Sequence, residues 1–163
     1  MQATKDSFYL TLRGRLAQAY PARTIAMSGA TRPAIVVVEN EAPSVTARQH
    51  DAFYMEWGEA SAVLPAISTL MAMTCAISYA SAGTEQNGGL DRGRALAELE
   101  SELLAICSPR SARKCDYSGL SPVDLGSAIF WTNPGFRATK ANPNCVAGEA
   151  TLKVYFYPEV NQA

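Results

Sequence analysis

Charged side chains are scarce in this chain. Asp, Glu, Lys and Arg make up 18% of its 163 residues, where soluble domains carry about 25%. The two signs nearly balance, 14 basic against 15 acidic, for a net charge of −1. That excludes binding to DNA, RNA or an anionic membrane through broad electrostatic attraction. A shortage of charge fits a surface partly covered by neighbours, because the centres of interfaces are depleted in charged residues. Histidine is scarcer still, with His50 the only one. Cys75, Cys107, Cys115 and Cys145 form no C-x-x-C pair. A structural zinc site therefore lacks both spacing and ligands, and neither metal nor cofactor is expected. The thiols are expected to be reduced, Cys75 as a small core residue, with a Cys107–Cys115 bridge across Pro109 the less favoured alternative.

Long apolar runs are missing too. The least polar stretch, Ala60 to Ala82, contains Pro65 and the hydroxyl residues Ser61, Ser68, Thr69, Thr74, Ser78 and Ser81, too polar for a membrane span. Met1 to Ser7 has no basic segment running into an apolar one, so no secretory signal is expected. The chain reads as soluble and unexported, with no membrane partner.

Periodicity supplies most of what is present. Phe8, Leu12 and Leu16 recur every fourth residue in 5–19, one stripe of an amphipathic helix that Pro21 ends. Thr24–Met27 and Ala34–Glu39 bracket a turn-rich segment and predict a hairpin or a pair of short strands. Glu39 to Gln49 reads as loop, and Ala52–Trp57 alternates as a half-buried strand. From Thr69 to Ala82, Met71, Met73, Cys75, Ile77 and Tyr79 share one parity, while Ala72, Thr74, Ala76, Ser78 and Ala80 share the other. This predicts one long strand of about 40 Å. Its bulky face suits a core, and its small, uncharged face suits close packing against a helix or a neighbouring subunit.

Gly83 to Gly89 reads as a turn and Asp91 as a helix N-cap. Leu96, Leu99, Leu103 and Ile106 are spaced as the buried stripe of a second helix, with Arg94 and Glu98 an i, i+4 ion pair on its outer side. Residues 108–126 read as irregular, Ser127–Trp131 and Ala150–Tyr157 as strands, and 132–148 as a long loop, either mobile or engaged in contact. The expected fold is a single α+β domain over 1–163. It has a mixed, mostly antiparallel sheet packed against two main helices, with 108–126 and 132–148 as loop insertions or arms.

Motifs for catalysis are few. There is no phosphate-binding glycine loop, dinucleotide fingerprint or nucleophile elbow. Ser111-Ala112-Arg113-Lys114 matches S-x-x-K but lacks the partner motifs of that enzyme class. His50 has no carboxylate at defined spacing, and Glu98, Glu100 and Glu102 read as a solvated helix face. No catalytic residue is assigned, and no enzyme is expected. Arg92 and Arg94 oppose the helix dipole in the first turn, which a partner's carboxylate or an intrachain ion pair would relieve. Arg110, Arg113 and Lys114 form a local basic cluster.

Three segments together resemble a known family: Phe8-Tyr9-Leu10-x-Leu12-Arg13; Ile77-Ser78-Tyr79-x-x-x-Gly83-x-Glu85; and Asp91-Arg92-Gly93-Arg94-Ala95-Leu96-x-x-Leu99-x-x-Glu102-Leu103. In this order, followed by two closing strands, they resemble the tail terminator or tail completion proteins of tailed bacteriophages and prophages. The resemblance implies a structural virion subunit, assembled in the host cytoplasm. Its ring, commonly a homohexamer, caps the head-proximal end of the tail tube and joins it to the neck or head-completion proteins. DNA would pass through such a ring without sequence-specific binding. Glu85, Arg92 and Arg94 are then expected at inter-subunit or partner contacts, and Arg110, Arg113 and Lys114 on a lumen or partner surface. A head–tail connector, stopper or tail-tube subunit is the alternative. A small ligand-binding or enzymatic domain using Tyr79, Glu85 and Asp91 is the reading from another class.

Overall fold

A computed structural model describes residues 1–41, 48–63 and 69–159. The N-terminal helix α1 spans Gln2–Ala19, and Phe8, Leu12 and Leu16 are fully buried on the predicted stripe. Its burial extends beyond that stripe to Thr4, Ser7 and Tyr9, because α1 also packs along strands at both sides of the sheet.

Strands β1 (Thr24–Met27) and β2 (Ala30–Pro33) form a separate two-stranded hairpin. The predicted partner of β1 is thus corrected: Ile35–Val37 is not its hairpin mate. It forms β3 and pairs in parallel with β4 (Phe53–Ala62). All three β3 residues are buried, which is how a strand covered on both faces reads. A short helix, α2, covers Val38–Glu41 where loop was expected. The remainder of that expected loop, 42–47, lies outside the described residues, as do 64–68 of the Ala60–Ala82 stretch.

Strand β5 is Met71–Ser81, with the predicted alternation of burial along its length. A turn of 3-10 helix at Glu85–Asn87 leads into α3, Arg92–Ile106. Leu96, Leu99, Leu103 and Ile106 are buried as spaced, each contributing about 1.5–3 kcal/mol by leaving water.

The expectation that 108–126 is irregular is corrected. Ser111–Asp116 forms β6, and Val123–Trp131 forms β7, antiparallel to it, with a bulge between Arg113 and Cys115. The segment 132–148 also carries structure. Two short strands, β8 (Gly135–Phe136) and β9 (Lys140–Ala141), pair with β10 (Val146–Phe156).

The main sheet runs β3-β4-β5-β10-β7-β6, with β8 and β9 beside β10. Among the described pairings only β3–β4 is parallel. Both long helices lie on one face, where the main core joins Phe8, Leu12, Cys75, Ile77, Leu99 and Leu152. Phe8 packs edge-on against Trp57 and Trp131 at 5.6 and 5.0 Å between ring centres. The Trp131 indole N–H donates to the Cys107 carbonyl at 2.9 Å. The molecule is a single α+β domain with a mixed, mostly antiparallel sheet against two main helices.

Candidate functional site

Among the described residues, the second face of the sheet carries no long helix. Along β5 it presents Ala72, Thr74, Ala76, Ser78 and Ala80, each only half-buried. The register places Ala147, Glu149, Thr151, Lys153 and Tyr155 of β10 beside them. Gly58 of β4 lies close by, over the Thr74 side chain. At the β3 end, the β1–β2 hairpin closes a small second core of Ile25, Ala34, Val36, Ala52 and Tyr54. Beyond it, the small residues line two adjoining grooves of about 260 and 160 Å³ that share Ser78, Ala147 and Gly148.

Charge on this face comes from the strands and loops that flank β5, not from β5 itself. Arg48 bonds Glu56 and the Ser78 hydroxyl, and Arg137 pairs with Glu149 at 3.1 Å. Lys140, beside Ala147 in the ladder, and Lys153 are exposed. Neither meets a carboxylate among the described residues.

The β6–β7 hairpin projects from this sheet. Val123, Asp124, Leu125 and Gly126 are all exposed. At the turn Leu120 is fully exposed, with Val123 at 59%. Leucine and valine side chains gathered at a hairpin tip form the kind of apolar patch that marks a contact surface. Its base is fixed both to β10, where Phe130 and Trp131 pair with Tyr155 and Val154, and to α1. The Ser7 hydroxyl accepts the Cys115 N–H at 2.9 Å and donates to the Cys115 carbonyl. Arg15 donates to the carbonyls of Ile106, Pro109 and Ser111.

The residues singled out from the sequence are scattered. Lys114 is the clear correction. At 1% exposure it is buried at the hairpin bulge, with Nζ donating to the Tyr157 carbonyl at 2.5 Å and paired with Glu159 at 2.7 Å. An inward-turned bulge residue cannot join Arg110 and Arg113 on an exposed surface. Arg113 is well exposed and lies 3.4 Å from Asp124, while Arg110 donates to the Asn133 side chain at 3.3 Å. Arg92 is bound within the chain, to the Ala82 carbonyl at 3.1 Å and the Pro143 carbonyl at 2.9 Å. Backbone carbonyls thus receive this cation at the helix N-terminus, and the expected intrachain ion pair does not form among the described residues. Arg94 and Glu98 are both exposed, and the predicted ion pair between them does not form among the described residues. Glu85 is exposed on the 3-10 turn.

Asp91 occupies the N-cap position, but its carboxylate makes no cap hydrogen bond. It accepts from the Thr84 N–H, the Asn87 amide and the Thr84 hydroxyl. The Thr84 N–H above all, with those side chains, holds its pKa at about 2. Gly83, at φ +72°, leaves room for this arrangement, since a Cβ there would stand 2.6 Å from Asp91 Oδ1. Tyr79 points into the helix layer, its hydroxyl donating to Glu100 at 3.2 Å. Burial foremost, then the Glu100 charge, pushes its pKa up. Tyr79 lines the groove beside Ser78 and Ala147, whereas the shallow depression at the α3 start is bounded by Gln86, Asn87, Leu90, Asp91 and Arg94, so these described residues do not bring Tyr79, Glu85 and Asp91 to one lining.

The sequence reading missed the contacts that shape the site. Arg23 forms a two-pronged pair with Glu102 at 2.8 Å, tying the β1–β2 hairpin to α3. Glu41 collects Arg32, the Tyr9 hydroxyl and the Val37 N–H. Arg23–Glu102 has no spacing signal because it joins segments far apart in the chain, and the Glu41 cluster has none because its partners come from α1, β2 and β3 at unrelated spacings. Cys75 and Cys107 are buried and all four cysteines are unpaired; burial pushes the Cys107 thiol up to about 12. Among the described residues no group of three His, Cys, Asp or Glu side chains is placed to hold a metal ion. No described helix is long and apolar enough to cross a membrane. No model of a known protein family matches the chain, and comparison with curated proteins finds no match.

Proposed function

We propose that the chain is a structural subunit of a phage tail, closing into a ring that caps the head-proximal end of the tail tube and meets the neck or head-completion proteins. The observation that carries the reading is the small-residue sheet face beside a projecting apolar hairpin. In a monomer this pairing leaves leucine and valine side chains in water, at about 25 cal/mol per Å² of apolar surface. A neighbouring copy that covers them recovers that energy. A ring also needs two different faces on each subunit, and the two-layer build offers a bare sheet on one side and helices on the other. The resemblance in three sequence segments supports the tail-end placement over other ring proteins.

The experiment is polymerisation of tail tube protein with and without this chain. The reading expects tubes to stop growing with one added ring at a single end. Tubes that elongate unchanged, with no bound ring, overturn it. Incorporation of the chain in repeated layers along the tube would instead favour the tail-tube subunit reading.

A further inference from the structure

We propose that copies of this chain meet head to tail, the bare sheet face of one copy docking against the outer side of α3 and the turn before it on the next. The inference rests on the ring reading above and names the two surfaces through which such a ring closes.

Charge is the first argument. On the bare face the arginines Arg48 and Arg137 are already matched by Glu56 and Glu149, and Lys140 and Lys153 outnumber the one further exposed carboxylate of β4, Glu59 in its bulge, which leaves a small positive surplus. On the opposite side of the molecule the balance is reversed. Glu98 on α3 and Glu85 on the preceding turn are exposed and meet no cation among the described residues. Arg94 is the exposed cation there. Glu100, bound among the described residues only by the Tyr79 hydroxyl, adds to the negative field, while Glu102 is matched by Arg23. Arg92, held by backbone carbonyls, is the second cation of this side. The two surfaces lie on opposite layers, since α3 packs on β5 and β10 from the core side.

That disposition decides the symmetry. A two-fold dimer through the bare face would set Lys140 and Lys153 of both copies against one another, and like charges across an interface oppose binding. Joining the bare face to α3 brings lysine to glutamate. It also leaves each copy with one free surface of each kind, so that addition continues until the ring closes. Shape agrees with charge. The exposed side of α3 carries Ala97, Ser101 and Ala105 between Glu98 and Leu104, and the alanines and serine of β5 let a helix approach closely.

Size sets the strength. Eleven paired residues of β5 and β10 make a face about 35 Å long and, with β4, about 15 Å wide, on the order of 500 Å². A standard interface covers about 800 Å² per partner. Contact through these surfaces is therefore weak in the isolated chain, strengthened by the hairpin arm, and sensitive to salt.

The test uses two variants of the full chain, Lys140→Glu with Lys153→Glu, and Glu85→Lys with Glu98→Lys. All four residues are exposed, so circular dichroism should show both variants folded. Sedimentation velocity at up to about 1 mM protein and low salt should show wild-type association that disappears at high salt. Each variant alone should associate about tenfold or more weakly, and an equimolar mixture should regain association, because the reversed surfaces again carry opposite charge. Variants that associate as the wild type does overturn the pairing of surfaces and leave the ring reading intact. Loss in the lysine variant alone, with no rescue on mixing, assigns the bare face to another component and also overturns it. A wild-type chain monomeric under every condition overturns both.

Discussion

Burying an ammonium group is costly unless a carboxylate and further acceptors receive it, and Lys114 has both. Its charge meets Glu159 and the Tyr157 carbonyl, and its Nζ lies over the Phe156 ring, 5.7 Å from the ring centre. Lys114→Ala removes the packing and leaves Glu159 with the terminal ammonium alone, so thermal or denaturant unfolding should show a loss of about 2–4 kcal/mol. Lys114→Met, which keeps the apolar stem, should lose less. Equal stability of all three would contradict the structural role.

The same pair predicts an acid limb of stability. Partial burial disfavours ionised Glu159, but hydrogen bonds from Lys114 and the terminal ammonium outweigh it and hold the pKa at about 2. An unfolded glutamate titrates near pH 4.3. Between these values the unfolded chain binds the extra proton, so the contribution is complete above about pH 5 and is lost as pH falls towards 2. Glu159→Gln should flatten the plot of denaturation midpoint against pH over that window, and an unchanged slope would refute the assignment. None of this is legible in the sequence, where Arg110, Arg113 and Lys114 read as one local basic cluster on a lumen or partner surface. The bulge that turns Lys114 inward depends on pairing with β7, which local spacing does not encode.

Elements divide by whether their two faces differ. Strand β5 was readable because bulky and small residues alternate along it, and α3 because its leucines keep helical spacing. Strand β6, Ser-Ala-Arg-Lys-Cys-Asp, offers no such contrast, and its partner β7 begins with four exposed residues. The sequence therefore shows β6 and the first residues of β7 as irregular, whereas Ser127–Trp131 reads as the strand it forms. Strand β3 was misplaced for the converse reason: an apolar run buried on both faces gives no parity to say which neighbour it joins.

Two substitutions separate core from arm at this scale. Phe8→Ala, beneath both tryptophans, should cost about 3–5 kcal/mol. Leu120→Ser with Val123→Thr at the exposed tip should change monomer stability by no more than about 0.5 kcal/mol while weakening self-association. Denaturant titration and sedimentation measure the two effects separately, and a large stability loss from the tip pair would show that the hairpin belongs to the core. Between these extremes lies Gly148, where a Cβ would stand 2.5–2.8 Å from the Tyr79 ring. Tyr79 is held by Phe53 and Glu100 and has little room to yield. Gly148→Ala should therefore cost about 1–3 kcal/mol by overpacking.

At the scale of the whole molecule, the fold class was legible because two helical stripes, one long alternating strand and a run of shorter ones admit few arrangements. The candidate surface was legible in part. The small, uncharged parity of β5 marked a face made for close contact, but the flanking lysines and the apolar arm became visible only once β9, β10 and β6–β7 were in place. The account holds that this two-sided shape, bare sheet in front and acidic helix behind, is built to close on copies of itself. Native mass spectrometry of the concentrated wild-type chain at low salt tests that most directly. The account predicts, beside residual monomer, one closed species of fixed copy number, six by the family resemblance. A monomer at every concentration, or an open-ended series of masses, would contradict it.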